Sequence, residues 1–204
     1  MKGKKAFQLT ATFLVILILT VVIFTGAIYF TRQFFSTAEQ MRATIDRQTE
    51  AEIEQLLYQE GALVALPVFK KTTIRGKSDT FALGIKNVLE RTGQFYVTIE
   101  FSKAFTPGEE IIPTADATYI NTKWLLYSQG PYTIPNNKLE MIPVLIMADL
   151  KMAEGIATEK GTYSFNVCVF QGVIPSGFSC ASPPRPLPPE IYGGKVYKIY
   201  LEVA

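Results

Sequence analysis

Hydrophobic periodicity changes twice along the chain. From Ala6 to Phe30 no residue is charged, and Phe13-Leu14-Val15-Ile16-Leu17-Ile18-Leu19 is apolar at every position. At about 1.5 Å per residue, a helix over 6–30 would reach roughly 37 Å, enough to cross the roughly 30 Å hydrocarbon core of a bilayer with some tilt. Its polar positions, Thr10, Thr12, Thr20 and Thr25, can return their hydroxyls to the helix backbone. Residues 31–60 contain neither proline nor glycine. Within them Ala38, Met41, Ile45, Thr49, Ile53 and Leu56 recur at steps of three and four, which predicts an amphipathic stalk helix ending at Gly61. An unbroken helix over 6–60 would be a rod of about 80 Å.

Beyond Gly61 the period becomes two. Phe95, Val97, Ile99 and Phe101 alternate with Tyr96, Thr98, Glu100 and Ser102, and the same rhythm runs through Phe81 to Ile85, Tyr163 to Val169 and Tyr197 to Val203. Ala62 to Phe69, Ala117 to Tyr127 and Leu139 to Met147 are less regular candidates. Connections are expected over 70–79, 102–113, 130–137 and 149–160, where Gly, Pro, Asn and charged residues gather. About seven short strands and no helix after residue 61 predict one all-β sandwich. The expected organisation is a basic tail over 1–5, a transmembrane helix over 6–30, a stalk over 31–60 and an extracytoplasmic sandwich over 61–204.

Charge gives this layout a direction. The chain carries 20 Lys plus Arg against 18 Asp plus Glu, a net +2. Lys2, Lys4 and Lys5 account for more than the whole excess, and they precede the apolar run. By the positive-inside rule the N-terminus is cytoplasmic and the sandwich lies outside. A cleaved signal peptide would also begin with lysines, but its apolar region is shorter, about 7 to 15 residues. The near-neutral remainder excludes a general nucleic-acid binder. The absence of histidine excludes imidazole-based catalysis and His-ligated metals.

Lys160-Gly161-Thr162-Tyr163-Ser164-Phe165-Asn166-Val167 resembles the penultimate strand of immunoglobulin-like sandwiches, which implies a tyrosine corner at Tyr163. In that resemblance Phe165 and Leu83 stand where antibody-type domains have their core cysteines, and Phe95 or Val97 near their core Trp. Lys4-Lys5-Ala6-Phe7-Gln8-Leu9-Thr10-Ala11 resembles the leader and processing site of type IV pilin-like proteins, including archaeal members such as archaellins and archaellum stator-type proteins that carry immunoglobulin-like heads. The resemblance implies cleavage between Ala6 and Phe7. Pilins have a Glu at the fifth mature position, where this chain has Ala11, which points to an accessory or anchored protein.

Cys168 falls on the opposite strand face from Tyr163, Phe165 and Val167, and Cys180 lies in the Gly- and Pro-rich stretch that follows. A disulfide between them is the simplest reading of an even pair outside the cell; two free thiols are the other. Pro183 to Pro189 has polyproline composition and reads as a stiff exposed loop. Gly76-Lys77-Ser78 lacks the earlier glycine of a phosphate loop, and Glu109, Glu110 and Asp116 lack calcium-loop spacing. Trp124, Tyr119, Tyr127 and Tyr132 fit either a carbohydrate or protein contact or a strand core. The expectation is a non-enzymatic, single-pass envelope protein without cofactor or small-molecule substrate. The stalk stripe would pack on the chain's own downstream domain or on a neighbouring copy, so the expected partners are the bilayer and a protein or second copy met through that stripe. The alternative is a filament subunit assembled through the 6–60 helix.

Overall fold

The computed structural model describes residues 15–25 and 47–204, in two compact units that divide between Met41 and Arg42. In the first unit, residues 15–25 form a helix (α1) on which every residue is exposed, from Val15 to Phe24 and Thr25. The Thr20 and Thr25 hydroxyls donate to Ile16 O and Val21 O at 2.8 and 2.7 Å. Both hydroxyls are thereby satisfied inside the helix, and its surface is left apolar all round. Among the described residues no helix is long and apolar enough to cross a membrane. The rest of the expected span over 6–30, with Lys2, Lys4, Lys5, Ala6 and Phe7, lies outside the described residues, as do Ala38, Met41 and Ile45.

The second unit is an all-β sandwich. One sheet has the order β1 (Val64–Ala65), β3 (Lys77–Lys86), β7 (Leu139–Ala148), β5 (Leu125–Leu126). The other has the order β2 (Lys70–Thr73), β11 (Tyr197–Val203), β10 (Gly161–Gln171), β4 (Gly93–Phe105), β6 (Tyr132–Ile134). Taking β1, β3, β4, β5, β7, β10 and β11 as strands A to G, the sheets read A-B-E-D and G-F-C, the constant-type immunoglobulin arrangement. Edge strands β2 and β6 flank the second sheet, and β8 (Lys151–Ala153) and β9 (Ile156–Ala157) form a separate hairpin. Among the described residues eleven strands thus replace the seven expected, because β2, β6, β8 and β9 are only two to four residues long, too short to show alternation.

The period-two residues fill the space between the sheets. Phe81, Leu83 and Ile85 with Ile142, Val144 and Ile146 face Val97, Ile99, Phe165, Val167, Ile199 and Leu201. A bulge lies where Phe165 pairs with Phe101 and Ser164 with Lys103. The extra residue in β4 turns the phase, so that Phe101 and then Ala104 both point inward. Phe165 and Leu83 occupy the middle of the core at 0% exposure, so apolar packing stands where related domains have a disulfide.

Tyr163 is buried, and its hydroxyl donates to Glu159 O at 2.9 Å, four residues upstream. That is the geometry of a tyrosine corner. Gly161 allows it, because a Cβ there would collide with the Phe105 carbonyl. Burial pushes the Tyr163 phenol up to about 12 from 10.0, so the fold favours its neutral form. The resulting stability is complete below pH 10.0 and is lost as pH rises toward 12. Tyr163→Phe is expected to lower neutral-pH stability by about 1 kcal/mol and to flatten this alkaline decline, as measured by urea unfolding across pH.

One expected strand gives way to a helix. Ala117 to Tyr127 is mainly a helix, α3 (Ala117–Lys123), because Asp116 caps it by accepting from Thr118 N and Tyr119 N at 2.8 and 3.2 Å. Trp124 follows it into the core, its indole donating to Lys151 O at 2.9 Å and its ring 4.7 Å from that of Tyr163. Within the stretch expected to be helical, α2 (Arg47–Glu54) continues as a π turn over Gln55–Gln59 and packs on the outer face of the first sheet. There Ile53 and Leu57 are buried against Ala65, Ala82, Leu139 and Met141, and Leu56 is half-buried. Gly84 makes room: a Cβ would overlap Ile53 Cγ2 and come within 3.0 Å of Leu57 Cδ1. Of the stripe positions, which could pack on the chain's own downstream domain or on a neighbouring copy, Ile53 is buried and Leu56 half-buried on the chain's own sheet, and the folded head includes 47–60. The Lys86 ammonium donates to Leu57 O at 3.2 Å and lies 4.4 Å from the centre of the Tyr58 ring.

Candidate interaction surface

The outer face of the second sheet is covered by the connection 172–196, which folds back as a strap. Cys168 and Cys180 are joined across 12 residues with Cα atoms 6.0 Å apart, and both are fully buried. Phe170 and Ile191 are buried with them, beneath Ile174, Phe178 and Leu187 of the strap. The Phe170 and Phe178 rings meet edge to face at 5.0 Å. Around this apolar patch, outward side chains of two strands hold the strap, and Lys198 of a third holds one of them. The Asn166 amide donates to Cys180 O at 2.8 Å and Ala181 O at 3.1 Å, and accepts from Lys198 Nζ at 3.1 Å. The Glu100 carboxylate accepts from Ser179 Oγ and Ala181 N, both at 2.8 Å. A polyproline-type segment with Leu187 turned onto the sheet is thus a fixed cover.

The sheet edges are closed by side chains more than by strands. On β4, Val97 N donates to Gln129 O at 2.9 Å, Ile99 N to the Tyr127 hydroxyl at 2.9 Å, and Phe101 N to Asn121 Oδ1 at 2.7 Å. On β3, Lys71 Nζ donates to Thr80 O at 2.7 Å. On β7, Met147 N donates to Trp124 O on the β5 side, so two-residue parity puts Pro143, which lacks an N–H, on the same open edge. These devices oppose pairing with a further strand.

Apart from Tyr58, Phe69 and Leu126, the large exposed apolar side chains of this unit lie at the two loop ends. At one end the turn 74–76, the segment 106–116 and the β8–β9 hairpin lie together, as the pairing of Lys77 with Ala148 and the bond from Thr114 Oγ1 to Glu159 Oε1 at 3.3 Å require. We call this the hairpin end. It carries four large exposed aliphatics: Ile74, Ile111, Leu150 and Ile156. The strap end carries Val88 and Val173.

Of the residues singled out in the sequence, Cys168, Cys180 and Tyr163 stand in structural roles. Trp124, Tyr119 and Tyr127 are likewise engaged within the fold, Tyr119 through its hydroxyl to Asp149 Oδ2 at 3.2 Å. The Tyr132 hydroxyl donates to Ser128 O at 2.7 Å. Gly76 is a positive-φ turn residue with no phosphate cradle, and Glu109 and Glu110 join no metal-holding cluster among the described residues. The aliphatics of the hairpin end were hidden in stretches that read as polar connections. An isoleucine or leucine at a turn, where Gly, Asn and Asp are usual, was the available signal.

No family model matches the chain, and no curated protein matches it. Among solved structures it is similar to a PapD-like domain of human CEP192 at 8% identity, covering 70% of this chain and 84% of that one with a TM-score of 0.38. It is also similar to the class 5 fimbriae chaperone CfaA at 14% identity, covering 68% and 54% with a TM-score of 0.33. A family 123 glycoside hydrolase from Clostridium perfringens aligns at 10% identity over 67% of this chain and 22% of the enzyme, with a TM-score of 0.36. At these levels the likenesses carry no function across.

Proposed function

We propose that this chain is a non-enzymatic, single-pass envelope protein whose immunoglobulin-like head stands outside the membrane and acts through contacts. The observation that carries the reading is α1, whose described residues are apolar on every side and exposed, within an uncharged sequence that follows three lysines. An all-round apolar helix that is not buried in protein belongs in lipid. The head suits a contact role, since four large exposed aliphatics, Ile74, Ile111, Leu150 and Ile156, lie at one end of it.

Membrane fractionation and surface labelling of intact cells test the topology. An impermeant amine reagent is expected to label the exposed Lys77 and Lys151 before lysis. Labelling only after lysis would reverse the orientation. Mass spectrometry of the purified protein separates the anchored reading from the filament reading: an intact Met1 to Lys5 supports the first, and an N-terminus at Phe7 the second. Burial of Ile53 and Leu57 on the head already leaves a neighbouring copy only the upstream part of the stripe.

A further inference from the structure

The strap is anchored near both ends and belongs to no strand between them. Gly172 N donates to Gln94 O at 2.9 Å, Gln171 N to Glu190 O at 2.8 Å and Tyr192 N to Val169 O at 2.8 Å, which ties 172 and 190–192 to the second sheet. From Val173 to Pro189 the chain is in neither strand nor helix. Cys180 divides this stretch into two arms, 173–179 and 181–189. Each arm adds apolar side chains to the cluster that encloses the two sulfurs, Ile174 and Phe178 from the first and Leu187 from the second, above Phe170 and Ile191. The polar ties from Asn166 and Glu100 reach Ser179, Cys180 and Ala181, at and beside the bond.

This cluster is separate from the core between the sheets. Along β10, Tyr163, Phe165, Val167 and Val169 point into that core, whereas Cys168 and Phe170 point outward beneath the strap. Lifting the arms would therefore bare Phe170 and the sulfurs and leave the packing between the sheets in place. Such an opening costs less than unfolding the sandwich, and it belongs with the local openings that folded domains undergo. A thiolate has to meet a disulfide sulfur directly to exchange with it, and both cysteines here are fully buried.

We propose that the strap gates the redox chemistry of its own disulfide: a dithiol reaches the Cys168–Cys180 bond only when the arms lift, and they lift while both sheets stay folded. In the open form one thiolate of the dithiol attacks a sulfur, and the other cysteine departs as a thiolate that takes a proton from water. The reagent's second thiolate then displaces the attached cysteine. The reagent ends as a cyclic disulfide, having supplied two electrons, and the chain ends with two thiols. The closed strap thus protects the bond from reductants. Reduction in turn frees the arms, so that Phe170 and Ile191 become exposed more often.

The test treats the full chain, in mild detergent, with dithiothreitol and counts the thiols over time by alkylation and mass spectrometry. Reduction of the folded chain is expected to be about a hundredfold or more slower than in urea that unfolds it. Below the unfolding transition the rate should change little with urea, because a local opening exposes little surface. Asn166→Ala, which releases Cys180 O and Ala181 O, should speed reduction about tenfold. Ile142→Val, in the core on the other sheet, should lower the urea midpoint and leave the rate unchanged. Equal rates in the folded and unfolded chain would mean that nothing covers the bond. A rate that climbs with urea as steeply as unfolding, or that rises with Ile142→Val, would make the opening global and overturn the gate. Phe178→Ala, which removes the ring packed on Phe170, repeats the measurement should Asn166→Ala fail to fold. A rate that neither variant moves overturns the proposal as well.

Discussion

Replacing Cys168 and Cys180 together by alanine is expected to lower the unfolding free energy by about 3 kcal/mol, because the bond closes a short loop in the unfolded chain. Two small cavities would form beside Phe170 and Ile191 and add to the loss. The strap would loosen without leaving, since Glu100 and Asn166 hold Ser179, Cys180 and Ala181 independently of the sulfurs. Urea unfolding measures the first effect, and hydrogen exchange at the Ala181 amide measures the second. Adding Asn166→Ala to the double alanine variant should cost less than the sum of the separate changes, because each tie keeps the other aligned and losing one already weakens the other. Strict additivity would mean that the disulfide and the polar cradle act separately.

Gly84→Val is expected to detach the helix 47–59 while the sandwich stays folded. The new side chain would occupy the space of Ile53 Cγ2 and press on Leu57, and the β3 backbone beneath cannot retreat because it pairs with β7 along its whole length. Loss of two buried aliphatic contacts predicts a fall of about 2 to 4 kcal/mol. The far-ultraviolet helical signal would drop, and limited proteolysis after Arg47 would quicken. Ile53→Ala vacates the contested space, so Gly84→Ala combined with Ile53→Ala should be less harmful than the two changes summed. If Gly84→Val instead leaves proteolysis unchanged, the helix is held by Lys86 and Tyr58 more than by its apolar seat.

How much of this was legible depends on whether a feature is local. The long alternations in β3, β4, β10 and β11 were readable, because a strand buried on one face repeats every two residues whatever it packs against. The Gly161 to Phe165 motif was readable for the same reason, since the Tyr163 hydroxyl finds its acceptor only four residues away. The segment Ala117 to Tyr127 was misjudged, its aromatic and β-branched content suggesting a strand. The deciding group, the Asp116 cap, is a short-range signal outweighed by that pattern. The stripe through Ile53 was visible, and packing on the chain's own downstream domain was one of its two readings; the seat itself was not legible, because Ala82 and Gly84 read as the plain face of a strand.

The apolar run, its leading lysines, the strand periodicity and the cysteine pair are properties of neighbours along the chain, and the sequence by itself determined them. The direction of Ile53 and Leu57, the strap on the second sheet, the capped edge of β4 and the packing of Trp124 on Tyr163 join residues far apart in sequence. No local preference encodes such meetings; they follow from the free energy of packing two sheets, and only the tertiary structure decided them.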